Sequence, residues 1–469
     1  MIISEKSTKM SPYLQGNFAP VSEEYDCELP EVLGKIPNDM EGSFLRIGPN
    51  PVYIHNDGNY HWFDGDGMIH KVDFSHGRAT YRNRFVATRG LTIEKEQGKA
   101  IWTGYSTFNQ DGRLNQPYGM FRKNVANTNL IRFNGKLLAL WEGGLPHEVD
   151  LETLATKGIE RFELDENDRF SAHPKIDPIT GNMVSVSYNM LKPPFCTVIE
   201  LDKNGKLLKK TPVALPKGVM VHETMMTPNY VLVLDMPLAL DLERAKKGLN
   251  GVAFEKGKEA RIGLLKRLHD GSDIKWYPVQ SGFIYHGANA WEEEGEVVFH
   301  GFRATHTDVL LDLDQAPKDG SNEAKLHTYR FNLVTGQVLE KNGDMVSADF
   351  PRINDQYIGK KNQFIYSVGF AKDTFLPKFD KIIKYDLAKN SKRTLCCDSG
   401  SFIGETVFAP RIGSKSEDDG YLVHFLHDER KNCSQCMIYD AKNLSEKPLA
   451  AIRIPVRVPY GFHAVWINS

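Results

Sequence analysis

Short apolar runs rich in β-branched and aromatic residues recur along the whole chain, and this pattern is typical of β-strands. Polar, Gly-rich stretches separate the runs. The predicted strands are Lys136–Trp141, Met183–Tyr188, Tyr230–Leu234, Glu296–Phe299, Gln363–Val368, Lys381–Tyr385 and Tyr421–Phe425. Because strands dominate from end to end, the pattern predicts an all-β protein.

Asparagine-glycine pairs between the apolar runs indicate tight hairpins, because both residues accept the positive φ angles of a type I′ turn. The four pairs are Asn134-Gly135, Asn204-Gly205, Asn250-Gly251 and Asn342-Gly343. The clearest helix candidate, Leu240–Lys247, is short. The predicted strands are therefore mostly antiparallel neighbours.

No Pro/Ser-rich linker or long charge run divides the chain, so residues 1–469 are predicted to form a single domain. Many short antiparallel strands need closure or radial repetition to avoid exposed edges, and a β-propeller with about 40–50 residues per blade achieves this. Seven blades would use roughly 65 residues each, which leaves length for loops and a short helix that cap one face. The blade count itself is not visible, since no clean repeat stands out.

Composition excludes several classes of protein. Hydrophobic residues make up 41% and charged residues 25%, as in a globular protein, and the net charge of −2 disfavours a nucleic-acid partner. No apolar run approaches the ~20 residues that span a bilayer. The charged start, Met1–Lys6, lacks the apolar segment of a signal peptide, and six scattered cysteines suggest reduced thiols. These features favour a cytoplasmic location.

Four histidines stand in distinctive contexts far apart in the chain. They are His173 in Ser-Ala-His-Pro, His222 in Val-His-Glu-Thr, His286 in Tyr-His-Gly-Ala-Asn-Ala and His463 in Tyr-Gly-Phe-His. A single histidine is usually a plain core or surface residue. Histidines from different blades, however, can converge on a propeller axis, and four neutral imidazoles suit a borderline divalent metal such as iron.

Three carboxylates in strand-like settings are candidates for a supporting role. Glu142 directly follows the predicted strand Lys136–Trp141, and Asp349 and Glu405 stand in strand-like segments, where an acid that points inward is costly unless paired. A metal-binding imidazole usually donates its other ring N–H to such a group. The remaining histidines of polar or turn-rich stretches are expected to be solvated: His55, His61, His70, His76 and His147.

Long motifs in order along nearly the whole chain resemble the carotenoid cleavage oxygenases, non-haem iron enzymes that cut carotenoids, apocarotenoids and some stilbenes. The motifs are Tyr13–Val21, Phe44–Pro51, Trp62–Met68 and Arg457–His463. Within this family, the sequence most resembles the bacterial members that cleave apocarotenoids. The resemblance implies a seven-bladed propeller with one iron(II) per chain, bound by His173, His222, His286 and His463. It implies further that Glu142 supports His222, Asp349 supports His286 and Glu405 supports His463, and that Asp64–Gly67 forms turns.

One position departs from the family, which usually has glutamate where this chain has Asp349. Aspartate is one methylene shorter, so its contact with His286 is expected to be water-bridged or to need a small backbone shift.

By the same resemblance, molecular oxygen is the co-substrate and cleavage of a C=C bond gives two aldehydes, with Thr128 near the vacant metal position. Stilbene-cleaving members place a lysine immediately before the first supporting glutamate; here that residue is Trp141. An indole offers broad apolar surface and no ammonium for a phenolate, which favours a polyene. Phe108, Tyr105 and Tyr285 are candidates for lining an apolar tunnel.

Three other functions remain open: stilbene or phenylpropanoid cleavage, isomerisation and hydrolysis of a retinyl ester, and a non-catalytic binding propeller. Because carotenoids reside in membranes, peripheral membrane association is expected, and Leu238–Leu242 with Lys246 and Lys247 has suitable amphipathic character. A short surface helix packed on a blade explains that segment equally well. The oligomeric state is left open.

Overall fold

Strands dominate the computed structural model, which describes residues 11–54, 60–102, 104, 118, 120, 122–166, 168–247, 251–307, 323–343 and 345–469. Within these ranges the strands are β1 (Asp26–Glu28), β2 (Val32–Gly34), β3 (Gly42–Pro49), β4 (Gly67–Ser75), β5 (Arg78–Phe85), β6 (Asn129–Phe133), β7 (Lys136–Leu140), β8 (His147–Val149), β9 (Thr156–Ile159), β10 (Lys175–Ile176), β11 (Met183–Tyr188), β12 (Cys196–Leu201), β13 (Leu207–Val213), β14 (Thr224–Met226), β15 (Tyr230–Asp235), β16 (Leu238–Leu240), β17 (Val252–Phe254), β18 (Ala260–Lys266), β19 (Lys275–Val279), β20 (Phe283–Glu293), β21 (Glu296–Ala304), β22 (Lys325–Asn332), β23 (Val338–Asn342), β24 (Ala348–Arg352), β25 (Phe364–Phe370), β26 (Phe379–Asp386), β27 (Ser391–Cys396), β28 (Ser401–Ile403), β29 (Val407–Pro410), β30 (Gly420–Asp428), β31 (Cys433–Asp440), β32 (Ala450–Ile454) and β33 (Ala464–Asn468). The α-helices are α1 (Arg89–Gln97) and α2 (Leu242–Lys246), and 3-10 helices cover Pro12–Leu14, Gly16–Phe18, Trp62–Asp64 and Asp355–Tyr357.

Within the described part of the chain, seven antiparallel groups have a core of four strands each; β1 extends one group by pairing with β5, and β2 extends another by pairing with β32. The groups are β6–β9, β10–β13, β14 and β15 with β18 and β19, β20–β23, β24–β27, β29–β32, and β3–β5 with β33. Strand β28 lies between β26 and β30 and joins two groups into one larger sheet, while β16 and β17 form a separate hairpin. The all-β prediction is confirmed, and seven groups agree with the seven blades that the resemblance implies.

Neighbouring groups meet through one edge strand each, which we call the first strand of the group; in the group of β3–β5 this strand is β33. Strand β14 packs against β10 and β20, β20 against β24, and β29 against β33, while β3 and β33 both pack against β6. The last strand, β33, pairs with β3 from Gly42↔Asn468 to Arg46↔Ala464. The end of the chain therefore completes the group that its beginning starts, and segments far apart in sequence meet along the first strands.

Apolar side chains fill the space between the groups. Phe44 of β3, Phe425 of β30 and Ile452 of β32 belong to one buried cluster, and Val186 of β11, Leu232 of β15 and Phe299 of β21 belong to another. Complete burial of one such side chain stabilises a fold by about 1.5–3 kcal/mol. The apolar core thus lies between the sheets. The first strands can therefore carry polar side chains, such as the histidines, where they meet one another.

The hairpin predictions are partly correct. Asn134 and Gly135 have φ angles of 49° and 73° and join β6 to β7 as predicted. Gly205 has a φ of 81° in the wider loop between β12 and β13. The prediction at Asn342-Gly343 is wrong: Asn342 ends β23, and the Gly343 N–H donates to the carbonyl of Leu326 at 2.9 Å. Asn250 lies outside the described residues.

The helix predicted at Leu240–Lys247 is confirmed in part. Helix α2 covers Leu242–Lys246 only, because Leu240 ends strand β16, and Leu238 at the start of that strand is fully buried. The longer helix, α1, was not predicted, although Thr88 accepts a hydrogen bond from the Leu91 N–H and Gly98 ends the helix at a φ of 66°. A capping threonine and a left-handed glycine at this spacing are recognisable helix signals. No helix in the described ranges has the length and apolarity to cross a bilayer.

Candidate metal site and cavity

The four predicted histidines lie together. The ring centroid of His173 is 4.4 Å from that of His222, 5.2 Å from His286 and 4.6 Å from His463. The rings of His286 and His463 are 4.8 Å apart. One ring nitrogen each from His173, His222 and His286 lies within 4.8 Å of the others. Four imidazoles separated by up to 290 residues of chain thus share one small volume.

Each histidine stands at or near the beginning of the first strand of a group. His173 precedes β10 by two residues, His222 precedes β14 by two residues, and His463 immediately precedes β33. His286 lies within β20 at a register irregularity between Ile284 and His286. Because first strands pack against one another, residues at these positions converge.

All three predicted carboxylates contact the predicted histidines. The Nδ1 of His222 is 2.7 Å from Glu142 Oε2, that of His286 is 2.9 Å from Asp349 Oδ1, and that of His463 is 3.2 Å from Glu405 Oε1. Each contact orients a ring and leaves its Nε2 available.

At Asp349 the contact with His286 is direct, so the predicted water bridge is wrong. The predicted backbone shift has a counterpart in β24, whose pairing with β25 is irregular between Asp349 and Arg352. Phe350 there has a φ of 53°, an unusual conformation for a bulky residue, and its N–H donates to Asp349 Oδ1 at 2.8 Å. The shorter side chain is thus held at hydrogen-bonding distance by an irregular strand.

Burial and neighbouring charges set the protonation of the site. Burial, with help from the other imidazoles, holds the pKa of His173 well below its usual range, and burial lowers the pKa of His463 to about 4. Burial alone would raise the pKa of Glu405, but Arg352 and His463 outweigh it and lower that pKa to about 2. At His286 burial is outweighed by Asp349, and the pKa is raised. The lowered pKa values of His173 and His463 favour neutral imidazoles at these two positions, which is the state that binds a metal.

The donor set fits a divalent metal. The Nε2 of His173 is buried and has no hydrogen-bond partner among the described residues, which is costly unless another group satisfies it. Imidazole nitrogens are suitable ligands for iron, zinc and copper. The four histidines could therefore hold such an ion through nitrogen atoms alone.

A cavity of about 800 Å³ opens onto the histidines. His222, His286 and His463 line it together with Thr128, Trp141 and Tyr285. The Tyr285 ring lies 5.6 Å from that of His222, and its hydroxyl is 2.7 Å from Thr307 Oγ1. The Thr128 carbonyl accepts from the His463 N–H at 3.3 Å. Tyr105 and Phe108, also predicted to line the cavity, lie outside the described residues.

Aromatic side chains make up much of the remaining wall. Phe63, Phe350, Phe379 and Phe462 line the cavity near the histidines. The Phe350 ring lies 4.8 Å from the ring of His286 and 4.9 Å from that of His463. The space beside the imidazoles therefore suits an apolar molecule.

Sequence reasoning missed three charged residues beside the site, of which Glu223 is buried and Lys175 and Arg352 are partly buried. Lys175 and Glu223 form an ion pair at 2.7 Å, and Arg352 Nε lies 3.0 Å from Glu405 Oε1 and also hydrogen-bonds the Ala464 carbonyl. All three stand within three residues of a predicted site residue, and this proximity in sequence could have identified them as candidates. Solvation was wrongly predicted for His61, His70 and His147, which are buried; His76 is exposed as predicted, and His55 lies outside the described residues.

Comparison with known proteins identifies the family. A family model described as "Retinal pigment epithelial membrane protein" matches residues 18–468. The chain belongs to this family, the carotenoid cleavage oxygenases. Among its members, carotenoid 9,10(9',10')-cleavage dioxygenase 1 of Phaseolus vulgaris is 36% identical over 498 residues, covering 97% of this chain and 89% of the relative.

Two solved structures of the family share the fold over nearly their whole length. Cobalt-substituted apocarotenoid oxygenase of Synechocystis superposes with a TM-score of 0.86 at 30% identity, covering 96% of this chain and 97% of that one. Lignostilbene dioxygenase of Pseudomonas brassicacearum superposes with a TM-score of 0.88 at 27% identity, covering 98% and 99%. This chain therefore shares the fold of both structures over nearly its described length.

Proposed function

We propose that this chain is a non-haem iron(II) dioxygenase that cleaves a C=C bond of an apocarotenoid or carotenoid into two aldehydes. The observation that carries the proposal is the convergence of four histidines at a cavity lined by aromatic side chains. Homologues named for carotenoid cleavage support the same reaction.

In this proposal His173, His222, His286 and His463 bind the metal, and Glu142, Asp349 and Glu405 orient three of them. Iron(II) with open coordination positions would supply the binding and activation of molecular oxygen. The polyene would lie against Trp141 and Tyr285, with Thr128 beside the reacting bond. The chain's own contribution is positioning and exclusion of water, and no side chain need act as acid, base or nucleophile.

Trp141 favours a polyene over a hydroxystilbene. It lines the cavity directly before Glu142, where the resemblance places a lysine in stilbene-cleaving members. An indole supplies apolar contact area and no positive charge for a phenolate. The structural likeness to lignostilbene dioxygenase keeps stilbene cleavage as the second candidate.

Membrane association is part of the proposal, because an apolar polyene must reach the cavity from a bilayer. We infer an apolar rim from four side chains: Tyr118, Leu191 and Leu240 line the cavity, and Leu242 follows Leu240 by two residues in the chain. Tyr118, Leu191 and Leu242 are about half exposed. Exposed apolar side chains beside a cavity mark a surface for an apolar partner, here the interface of a membrane.

Product analysis tests the reaction. Iron(II)-loaded protein is incubated aerobically with an apocarotenal and with a hydroxystilbene in separate vials. We expect aldehydes from the apocarotenal alone, and their masses locate the cut. Aldehydes from the stilbene alone would overturn the polyene assignment, and no product from either would favour ester isomerisation or a binding role.

A further inference from the structure

His173 differs from the other three histidines. Carboxylates bind Nδ1 of His222, His286 and His463, whereas within the described chain no carboxylate hydrogen-bonds to the His173 ring. Its backbone is held instead: the His173 N–H donates to Ser171 Oγ at 2.8 Å, and its carbonyl accepts from Lys175 Nζ at 3.3 Å. The ring must therefore be positioned through the chain on either side of it.

Lys175 connects the His173 segment to two others through Glu223. Lys175 Nζ lies 2.7 Å from Glu223 Oε1. Glu223 directly follows His222, and its Oε2 accepts a hydrogen bond from the Gly287 N–H, directly after His286, at 3.0 Å. One ion pair therefore touches the segments of three of the four histidines.

Stability alone is a weak reason for such a pair. The side chains of Lys175 and Glu223 are 15% and 2% exposed. Removing two charges from water costs free energy that their attraction often fails to recover, so buried pairs contribute little net stability. Fixing the relative positions of groups is a better-supported role for a buried ion pair that makes specific hydrogen bonds.

We propose that the Lys175–Glu223 pair positions His173 relative to His222 and His286, and so sets the affinity of the metal site. Lys175 and Glu223 are positioning residues: they act through the backbone of the histidine segments, as Glu142, Asp349 and Glu405 act through the rings. The inference rests on the proposed metal site.

The test removes both charges together, so that neither is left buried and unpaired. Lys175→Met/Glu223→Gln is compared with wild type for cobalt(II) affinity, by chelator competition, and for the visible spectrum of bound cobalt(II). The matched control is Lys384→Met/Asp418→Asn. That pair is also 2.7 Å apart and 10% and 11% exposed, and Lys384 likewise donates to a backbone carbonyl, that of Ala441 at 2.8 Å.

We expect Lys175→Met/Glu223→Gln to weaken cobalt(II) binding by about 10–100-fold, the usual effect of losing an outer partner of a metal ligand. Its cobalt(II) spectrum should change, while the control variant keeps wild-type affinity and spectrum. The unfolding temperatures of the two metal-free variants should fall by similar amounts. Lys175→Arg, which keeps the charge and a donor, should bind cobalt(II) more tightly than Lys175→Met.

Equal cobalt(II) affinity in wild type and Lys175→Met/Glu223→Gln would overturn the inference and leave the proposed function standing. An equal loss of affinity in the control would also overturn it, because any buried ion pair would then have the same effect. Wild-type protein that binds neither cobalt(II) nor iron(II) would instead refute the metal site and the proposed function. If Lys175→Met/Glu223→Gln does not fold, Glu223→Gln alone serves, since it keeps an acceptor for the Gly287 N–H; wild-type affinity in that variant would overturn the inference.

Discussion

Single side chains at the first strands combine two tasks, since they bind or orient a ligand and also belong to a packed core. Asp349 shows this: its Oδ1 contacts both His286 Nδ1 and the Phe350 N–H. Neither contact tolerates much displacement, because a hydrogen bond weakens rapidly with distance and angle. The orientation of His286 therefore depends on the position of the Asp349 carboxylate to within fractions of an ångström.

Replacing Asp349 should therefore impair metal binding. We expect Asp349→Ala to lower iron(II) affinity by about 10–100-fold, because His286 loses the group that orients it. Asp349→Glu keeps the charge but displaces it by one methylene, so a smaller loss is expected. Iron content after dialysis against a weak chelator measures both. Asp235→Ala, which removes an Asp paired with Arg261 at 2.7 Å, is the control, and equal iron content in all four proteins would contradict the prediction.

His300, outside the cavity, should contribute to acid sensitivity. Burial, followed by Arg330, lowers the pKa of His300 to about 4, whereas an unfolded histidine titrates near 6.5. Between these values the unfolded chain binds a proton that the folded chain does not. The stability that neutral His300 contributes is therefore complete above about pH 6.5 and is lost as pH falls towards 4.

We expect His300→Gln to reduce the pH dependence of the free energy of unfolding by about 1.4 kcal/mol per pH unit in that window. Urea unfolding of metal-free protein between pH 7 and 4.5 measures it. His76→Gln is the control because its side chain is 91% exposed. A His300→Gln profile parallel to wild type would show that His300 is protonated equally in both states.

At the scale of elements, irregular strands aim the site residues. Strand β20 has register shifts at Ile284–His286 and Gly287–Asn289, and β24 has one between Asp349 and Arg352. Such bulges turn side chains out of the regular alternation and are frequent beside active sites. The first strands are therefore distorted where the histidine and its carboxylate must meet.

Where two chain segments approach closely, the space between them limits the size of the side chain. Gly67, within a segment predicted as turns, instead begins β4, and its N–H donates to the Val125 carbonyl at 2.8 Å. A Cβ at Gly67 would lie 2.2 Å from the carbonyl oxygen of Ala126, which is backbone and cannot simply rotate away. Only glycine fits where β4 begins beside the Val125–Ala126 segment.

Two glycine substitutions should distinguish the cost in stability of a steric clash from the cost of an unfavourable backbone conformation. We expect Gly67→Ala to reduce the free energy of unfolding by about 1–3 kcal/mol through overpacking. The new Cβ of Gly135→Ala meets no atom of the described residues within 4 Å, but the alanine is forced to a φ of 73°, which costs about 1 kcal/mol. Urea denaturation compares the two variants. A smaller loss for Gly67→Ala than for Gly135→Ala would contradict the packing argument.

The whole molecule is closed by pairing between its two ends, and the metal site depends on that closure. His463 immediately precedes β33, which pairs with β3, while His173, His222 and His286 come from three other groups. An ion bound to all four would join segments from four groups of strands. Metal binding and global stability should therefore be coupled.

Removing the metal should lower the unfolding temperature. A ligand at 100 times its Kd stabilises the folded state by about 2.7 kcal/mol. We expect iron(II)-loaded protein to unfold at a higher temperature than chelated protein, with no such difference in His173→Ala. Differential scanning calorimetry under nitrogen measures this, and equal unfolding temperatures for loaded and chelated wild-type protein would contradict the coupling.

Membrane binding also belongs to the whole molecule, because the apolar rim draws on separate segments. We expect Leu191→Asp/Leu242→Asp to release the protein from liposomes in flotation, since charged side chains do not enter the membrane interface readily. Val334→Asp is the control: Val334 is 89% exposed and is not part of the rim. Equal flotation of wild type and the rim variant would exclude this surface.

Local signals in the sequence determined much of this protein. Apolar runs rich in β-branched and aromatic residues determined strands such as Met183–Tyr188, because a strand buried between sheets needs apolar side chains on both faces, and Asn134-Gly135 determined a turn that few other residues allow. The four histidines and three carboxylates were recognisable because each stands in an unusual local context.

Contacts between distant segments were decided by the tertiary structure alone. The pairing of Lys175 with Glu223 and of β33 with β3 joins residues 48 or more apart, and no local pattern specifies such partners. The direct contact of Asp349 depends on a bulge, and His61, His70 and His147 are buried by packing that their polar neighbourhoods do not indicate. Local backbone preference acts over a few residues, whereas burial and charge pairing depend on where the closed fold brings each side chain.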